Sequence, residues 1–453
     1  MLQSYINEKG QFPTYSIALH LSDFNPKFAK INDVQLVSRK VVFYDVTQFV
    51  LGGPITGIQR VVNAFLEQDV CPVVFYNNNY YKFVNNKIAP NIMYSPLTKL
   101  LNYIGKHTYL FFSNLNSTPL QKIRKLRLKM SLKNLNVDYR APLQLSEIEE
   151  AHIFISDLPA SREHLEFLLV LSSFTRSSIA IFLHDLIPII YPELMPKNST
   201  AEFNLYAKLL LNAKKVFVST QSVLSTYEDY RKMFKTFNTD QKTFITSFPD
   251  FRKSLIKVNS PIKFSEKENE ILNSDKPFAL AVGTIFTRKN YSLVLRALQK
   301  LNEANIPCNF VIAAYKSWGD SALEFAFKQF TDSKKYTFIL YGLSDRKLEK
   351  FYEKASIVVF PSLAEGFGLP ILEARSYGKI VLVNELEPMM SLSKVDSGII
   401  TLPPHSNAWA EKIKQILQKD LPINSFVVSD HNEVKIPSVS SWCLSIIEKI
   451  LDR

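Results

Sequence analysis

The chain has few cysteines and no long apolar run. Its 453 residues include three cysteines, Cys71, Cys308 and Cys443, which are odd in number, far apart and without the spacing of metal ligands. This pattern argues against a disulfide framework and a zinc site, and it predicts small buried residues in a reducing compartment. The most apolar stretch, residues 167–171, is too short to span a bilayer. Because the first residues also lack a secretory signal pattern, we expect a cytoplasmic protein.

Acidic residues are missing from one long region. None occurs between Val70 and Val137, although the net charge is +12, and basic residues alternate with apolar ones near 100–137. Such a segment suits an anionic membrane surface, and a solvated surface insertion fits it equally well. No zinc, helix-turn-helix or RNA-recognition pattern accompanies the charge, so we expect no nucleic-acid partner.

The length and the apolar pattern predict two α/β domains. A chain of 453 residues exceeds one hydrophobic core, and 46% hydrophobic residues are enough to fill two. Short apolar, β-branched runs alternate with helical patterns, as in parallel sheets covered by helices. The predicted division is an N-terminal domain over 1–255 with the basic insertion near 100–137, a polar linker over 256–276, a second domain over 277–435 and a terminal amphipathic helix over 436–453.

One strand, loop and helix dominate the second domain. The run 356–360 predicts a buried strand, and the loop after it contains Gly366 and Gly368. Pro370 suits the first helical turn, and Gly378 suits the residue just past the helix end. Backbone amides of a glycine loop and the positive end of a helix together form an anion site. We therefore expect a phosphate or pyrophosphate to bind here.

Two carboxylates flank this loop. Glu365 lies in the loop and Glu373 in the helix, with seven residues between them. A carboxylate beside a phosphate is expected to accept hydrogen bonds from hydroxyls of the molecule that carries the phosphate. A sugar nucleotide offers hydroxyls at both ends of its pyrophosphate. The plain structural alternative is a core helix with a glutamate near its own N-terminus.

The whole block from Pro361 to Ala374 resembles the signature of the group 1 glycosyltransferases, which are glycosyltransferase family 4. The resemblance implies an α/β fold of the GT-B type, with two Rossmann-like domains facing a cleft and a C-terminal helix that crosses back to the N-domain. It also implies that Glu365 contacts the donor sugar and that Glu373 binds the nucleotide ribose. The loop residues implied to contact sugar and phosphate through their amides are Gly366, Phe367, Gly368 and Leu369.

Two segments of the first domain also resemble this family. The segment 56–61 is similar to the N-terminal loop of a bacterial branch rich in polysaccharide mannosyltransferases, which implies that Gly57 lies near the donor. An ordinary tight turn is the alternative. His184 and Asp185 follow a predicted strand and resemble a His-Asp-x-x-Pro segment whose histidine lies by the transferred sugar, with Asp185 as a further substrate contact. A capping aspartate beside a structural histidine is the alternative.

A second glycine loop opens the second domain. A predicted strand leads to Gly283 and Thr284, and Arg288 and Lys289 follow at a predicted helix start. An arginine fork and a lysine point charge would clamp a pyrophosphate, as basic residues here do in the family. Many members carry an arginine directly after the glycine, where this chain has Thr284. Two solvated cations are the alternative.

The sequence predicts a retaining glycosyltransferase that moves a sugar to a lipid-linked or growing surface polysaccharide such as O-antigen or capsule. GDP-mannose is the first choice of donor, and UDP and dTDP sugars remain open. No two aspartates stand two residues apart, so we expect the basic residues to meet the diphosphate without a divalent metal or cofactor. The expected location is the cytoplasm or the inner face of the cell membrane. A non-catalytic sugar-nucleotide-binding scaffold and a sugar-nucleotide hydrolase or epimerase are the alternatives.

Overall fold

The computed structural model describes most of the chain from residue 41 onward. The described residues are 41–50, 57–76, 79–83, 137–143, 147–148, 151–159, 161–174, 178–195, 199–234, 240–249, 251, 261–315, 317–329, 335–418 and 437–452. The predicted basic insertion and most of the loop before residue 57 lie outside these ranges.

The first half is built on one eight-stranded sheet in the order β4-β3-β2-β1-β5-β6-β7-β8. All neighbours pair in parallel except β2–β3 and β3–β4, which are antiparallel. The strands are β1 (Val42–Asp45), β2 (Cys71–Tyr76), β3 (Asn79–Phe83), β4 (Val137–Pro142), β5 (His152–Ile155), β6 (Ser178–Leu183), β7 (Lys215–Val218) and β8 (Lys242–Ile245). The central strands consist of the apolar runs that predicted them, since a parallel strand is buried on both faces.

Helices connect the parallel strands of this sheet. They are α1 (Thr47–Val50), α2 (Gly57–Leu66), α3 (Arg162–Phe174), α4 (Ile187–Ile190), α5 (Ser199–Asn212) and α6 (Gln221–Lys232), with a 3₁₀ turn at Pro192–Leu194. Thr220 caps the start of α6, and its side chain accepts a hydrogen bond from the Val223 amide at 3.2 Å.

The second half contains an all-parallel six-stranded sheet in the order β13-β11-β9-β14-β15-β16. A separate two-stranded sheet pairs β10 with β12. The strands are β9 (Phe278–Val282), β10 (Ile285–Phe286), β11 (Asn309–Ala314), β12 (Ser317–Gly319), β13 (Thr337–Tyr341), β14 (Ile357–Phe360), β15 (Val381–Asn384) and β16 (Ile399–Leu402). A parallel sheet with strand order reversing at β9 and β14 places loop 361–368 at the carboxyl end, where ligands bind.

The helices of the second half are α7 (Glu266–Asn273), α8 (Tyr291–Glu303), α9 (Ser321–Gln329), α10 (Asp345–Lys354), α11 (Leu369–Ser376), α12 (Met389–Val395) and α13 (Ser406–Leu417). Helix α7 lies inside the predicted linker. Ser265 and Glu268 form a capping box at its start, and Lys347 of α10 donates to the Glu268 carboxylate at 2.6 Å. The described part of that segment therefore packs with the second half, because a capped amphipathic helix buries its apolar face there.

The terminal helix, α14 (Val439–Leu451), packs on the first half. Its buried face includes Trp442, whose ring centroid lies 5.4 Å from that of Phe65 on α2 and 5.8 Å from that of Phe182 on β6. Lys215 on β7 donates its ammonium group to the Lys449 and Ile450 carbonyls at the helix end. This is the predicted crossing back of the C-terminal helix.

Three hydrophobic clusters hold this part of the chain together. One lies in the first half and includes α14, and the other two cover the two faces of the second sheet. All three cysteines are buried, as the sequence predicts. Among the described helices, none combines the length and apolarity needed to cross a bilayer.

Candidate active site

Glu365 is enclosed by two cations. Its Oε1 atom lies 2.8 Å from Arg288 Nη1 and 2.6 Å from Lys289 Nζ. The Lys289 ammonium also sits 4.7 Å from the centroid of the Phe360 ring, at the end of β14. The structure thus brings together three side chains that the sequence assigned to one site, and they form a largely buried cluster of two cations and one carboxylate.

The two cations stand on a short turn and not on a helix start. A 3₁₀ turn covers Thr287–Lys289, and Asn290 then adopts a left-handed conformation with φ of 51° before α8 begins. This differs from the predicted helix start at Arg288 and Lys289. The turn is fixed to the other loop because the Leu363 amide donates to the Arg288 carbonyl at 2.8 Å. Arg288 Nη1 in turn donates to the Ala364 carbonyl at 2.6 Å.

Burial and charge set the protonation of this cluster. Burial alone raises the pKa of Glu365, but the Arg288 and Lys289 cations outweigh it and lower that pKa to about 2. Burial lowers the pKa of Lys289, and the neighbouring Glu365 carboxylate opposes this effect. At neutral pH Glu365 is therefore an ionised carboxylate that accepts hydrogen bonds.

Gly366 is where the loop of the second half touches the first half. A Cβ atom at this position would lie 2.1 Å from the His184 carbonyl oxygen and 3.0 Å from the Asp185 Cβ atom. Thr220 donates its hydroxyl to the Gly366 carbonyl at 3.2 Å. Only a glycine permits this approach, so the residue type predicted for ligand contact also serves a contact between the two halves.

The other loop residues divide between backbone and core roles. Gly368 adopts φ of +90° and caps α11, and Pro370 lies in the first turn of that helix, as predicted. The Phe367 side chain is buried, with its ring centroid 5.1 Å from that of Phe248 in the first half. Leu369 is partly buried against the hydrophobic cluster of the first half. Phe367 and Leu369 can therefore offer a ligand their backbone groups, while their side chains pack in the core.

His184 follows β6, and its ring forms a hydrogen bond within the first half. Its Nε2 atom lies 2.7 Å from the Ser156 carbonyl oxygen, which can only accept, so Nε2 carries the proton. Burial lowers the pKa of His184 to about 4, so the ring is neutral at neutral pH. A neutral ring protonated at Nε2 has an acceptor at Nδ1, which suits a sugar hydroxyl better than a developing negative charge.

We expect the buried neutral His184 to make stability depend on pH. Between about pH 4 and the unfolded value of 6.5, the unfolded chain binds more protons than the folded one. The His184 contribution to the free energy of unfolding should therefore rise with pH across this window, by at most about 1.4 kcal/mol per pH unit, and level off above it. Denaturant unfolding of wild type and His184→Gln as a function of pH measures this difference. A difference that stays flat or falls as pH rises contradicts the prediction.

Asp185 behaves partly as a capping residue. Its Oδ1 atom accepts a hydrogen bond from the Ile187 amide at 3.0 Å, at the start of α4. Burial raises the pKa of Asp185, and the charge of Arg288 opposes this effect. The Asp185 carboxylate therefore accepts one of the first amides of α4, as in the capping alternative from the sequence. The same carboxylate lies close enough to Arg288 to interact with its charge.

Glu373 is buried on α11 and held from both sides. Its Oε2 atom accepts from the Tyr352 hydroxyl at 3.0 Å, and its Oε1 atom contacts Arg60 Nη1. Arg60, on α2 of the first half, also reaches Asp345 Oδ1 at 2.6 Å. The sequence analysis did not single out Arg60 or Asp345, although Arg60 lies in the segment 56–61. Arg60 therefore forms an ion pair with Glu373, the carboxylate that the family resemblance assigned to the nucleotide ribose.

The remaining predicted residues lie at element boundaries. Gly57 is the first residue of α2. Gly283 ends β9 with φ of +150°, and its amide donates to the Ala313 carbonyl at 3.0 Å. Thr284 follows it directly, before β10. Over the described ranges, no group of three or more His, Cys, Asp and Glu side chains is arranged to hold a metal ion.

A second polar group lies at the carboxyl edge of the first sheet. Asp45 is the last residue of β1, Asp157 lies two residues after the neighbouring strand β5, and both line an open pocket. His164 Nε2 and the Tyr80 hydroxyl each lie 2.9 Å from Asp45 Oδ2. Burial raises the pKa of Asp157 to about 6. The sequence analysis missed this pocket.

Sequence comparison matches residues 263–426 to the family model "Glycosyl transferases group 1". The chain is 34% identical to "O-antigen chain mannosyltransferase B" of Escherichia coli over 146 residues, which are 32% of this chain and 37% of the relative. It is 26% identical to "O-antigen chain mannosyltransferase RfbU" of Salmonella typhimurium over 246 residues, which are 54% of this chain and 63% of the relative. The chain thus spans less than two thirds of the length of these relatives.

Comparison with solved structures finds the same architecture. The structure described as "Trehalose-6-phosphate from E. coli bound with UDP-2-fluoro glucose" superposes with a TM-score of 0.55 at 13% identity, covering 91% of this chain and 99% of that one. At this identity the likeness shows the fold alone. It confirms the predicted GT-B arrangement of two parallel α/β halves.

Proposed function

We propose that the chain, in which residues 263–426 match the family model of the group 1 glycosyltransferases, is a retaining glycosyltransferase that takes mannose from GDP-mannose. Its acceptor is a lipid-linked or growing surface polysaccharide such as O-antigen or capsule. The observation that carries the proposal is the largely buried Glu365–Arg288–Lys289 cluster, in a loop whose Gly366 lies against the His184 backbone. The names of the two mannosyltransferase relatives support the choice of sugar and of polysaccharide.

The diphosphate of the donor binds to Arg288 and Lys289. Both cations contact one carboxylate, that of Glu365. The two cations are held in place before charge develops, which is the arrangement that stabilises a leaving group. The diphosphate then takes over part of the cation pairing, and Glu365 accepts hydrogen bonds from the sugar hydroxyls. We propose that the two cations and the backbone amides of the glycine loop together meet the diphosphate charge without a divalent metal.

The nucleotide ribose binds to Glu373. A buried carboxylate forms strong charge-assisted hydrogen bonds with a pair of hydroxyls. Because Arg60 contacts Oε1 of Glu373, the ribose has to displace that contact. Arg60 retains Asp345 as its partner, at 2.6 Å, so its charge stays paired when the ribose binds.

The transfer step breaks the bond between the sugar C1 and the departing phosphate oxygen. The acceptor hydroxyl oxygen forms the new bond to C1 on the same face, and its proton passes to the departing phosphate. No side chain acts as the base, because Glu365 is committed to sugar hydroxyls. His184 positions the sugar by accepting a hydrogen bond from a sugar hydroxyl at Nδ1, and the acceptor binds mainly to the first half.

Product analysis tests this function. The protein is incubated with GDP-mannose in excess EDTA, with methyl α-mannoside and mannobiose as simple acceptors, and NMR identifies the linkage formed. We expect an α-linked product, which retains the configuration of the donor. Release of free mannose with or without acceptor indicates a hydrolase, and a β-linked product contradicts retention. An unchanged donor under all conditions, from a protein that binds GDP-mannose, favours the scaffold alternative.

A further inference from the structure

The hydroxyl of Tyr291 is buried without a partner. Tyr291 is the first residue of α8, and its side chain is 2% exposed. Its Oη atom has no hydrogen-bond partner within the part of the chain that the structure describes. A buried phenol without a partner loses its hydration and gains nothing in return, so such a group calls for an explanation.

The position of the Tyr291 hydroxyl explains why it is buried without a partner. A Cβ atom built on Gly283 would lie 3.0 Å from Tyr291 Oη, 3.5 Å from Lys289 Cε and 3.8 Å from Lys289 Nζ. The phenol oxygen and the lysine ammonium therefore converge on the same small space above Gly283. With φ of +150°, that position strongly favours glycine.

We infer that the Tyr291 hydroxyl donates a hydrogen bond to a non-bridging oxygen of the donor diphosphate, beside the ammonium group of Lys289. This inference rests on the proposed function and adds a binding residue to it. A neutral donor suits this place, because it contacts the anion without disturbing the pairing of Lys289 with Glu365. Burial raises the pKa of Tyr291 well above its ordinary value, so the hydroxyl keeps its proton throughout the pH range of the enzyme.

The substitution Tyr291→Phe tests the inference because it removes one oxygen atom and leaves the ring. We expect affinity for GDP, measured by calorimetry, to fall about tenfold, the effect of one hydrogen bond to a charged group. Affinity for guanosine, which carries no phosphate, should not change. The thermal midpoint of the ligand-free protein should be no lower than that of wild type, because the variant loses a buried group without a partner.

Tyr227→Phe is the matched control. The Tyr227 side chain is equally buried, in the first half, but its hydroxyl lies 3.0 Å from the Leu210 carbonyl oxygen and 2.7 Å from Gln241 Oε1. Its loss should lower the thermal midpoint and leave GDP affinity unchanged. If Tyr291→Phe shows that same pattern, the hydroxyl has a structural role and the inference is wrong. If the wild-type protein binds no nucleotide at all, the proposed function fails first and the inference with it.

Discussion

Glu373→Gln is expected to lower the affinity of the protein for GDP about 100-fold. In the proposed function this carboxylate accepts hydrogen bonds from two ribose hydroxyls, and each charge-assisted bond contributes about 1.5–3 kcal/mol. The amide keeps the size of the side chain but loses the charge. Because the ribose is common to both ligands, affinity for guanosine should fall by a similar factor. Calorimetry with GDP and saturation-transfer NMR with guanosine measure the two losses.

Glu353→Gln is the matched control for this prediction. Glu353 lies on α10 and pairs with Lys350 at 2.7 Å, with both side chains about half exposed. Its substitution makes the same change of charge in the same half and should leave both affinities unchanged. Wild-type affinity for GDP in a folded Glu373→Gln protein contradicts the assignment of the ribose to this carboxylate.

Lys289→Met is expected to weaken binding of the diphosphate and to leave binding of the nucleoside unchanged. The variant removes one of the two cations that face Glu365, and it keeps the length of the side chain. We expect affinity for GDP to fall about 30-fold, as for one charged hydrogen bond to a phosphate. Affinity for guanosine should stay at the wild-type value, because the ribose contact is untouched. The two calorimetric and NMR measurements used for Glu373 report this contrast.

Lys300→Met controls for the loss of a positive charge on the same segment. Lys300 is exposed in the last turn of α8 and distant in sequence from the loop around Glu365. Its substitution should change neither affinity. Equal losses for GDP and guanosine in Lys289→Met would mean that the lysine supports the fold of the site and does not bind the diphosphate.

Local patterns predicted the elements around the site well. The runs before Glu365 and after Gly378 are buried parallel strands, because apolar β-branched residues on both faces fit only the interior of a covered sheet. Pro370 and Gly378 marked the first turn and the end of α11 correctly, since their backbone restrictions act through neighbouring residues alone. The motif around Glu365 also predicted the family whose model matches residues 263–426.

Contacts across long sequence separations were not predictable in the same way. Arg60 meets Asp345 and Glu373, which lie about 285 and 313 positions further along the chain, and no local pattern encodes that meeting. Gly366 likewise allows the loop to approach His184 closely. From the sequence alone, this glycine indicates only a loop without side-chain bulk. The turn at Arg288 was predicted as a helix start because the left-handed Asn290, which separates the turn from α8, carries a weak local signal.

Calorimetry of the wild-type protein against GDP-mannose, GDP, UDP-glucose and UDP in excess EDTA tests the central claim most directly. The proposed donor site binds GDP-mannose and GDP without metal, and binds the uridine compounds more weakly. Tight binding of UDP-glucose alone would support the glycosyltransferase function but contradict GDP-mannose as the donor. A folded protein that binds none of the four contradicts the proposed donor site at Glu365 and Glu373.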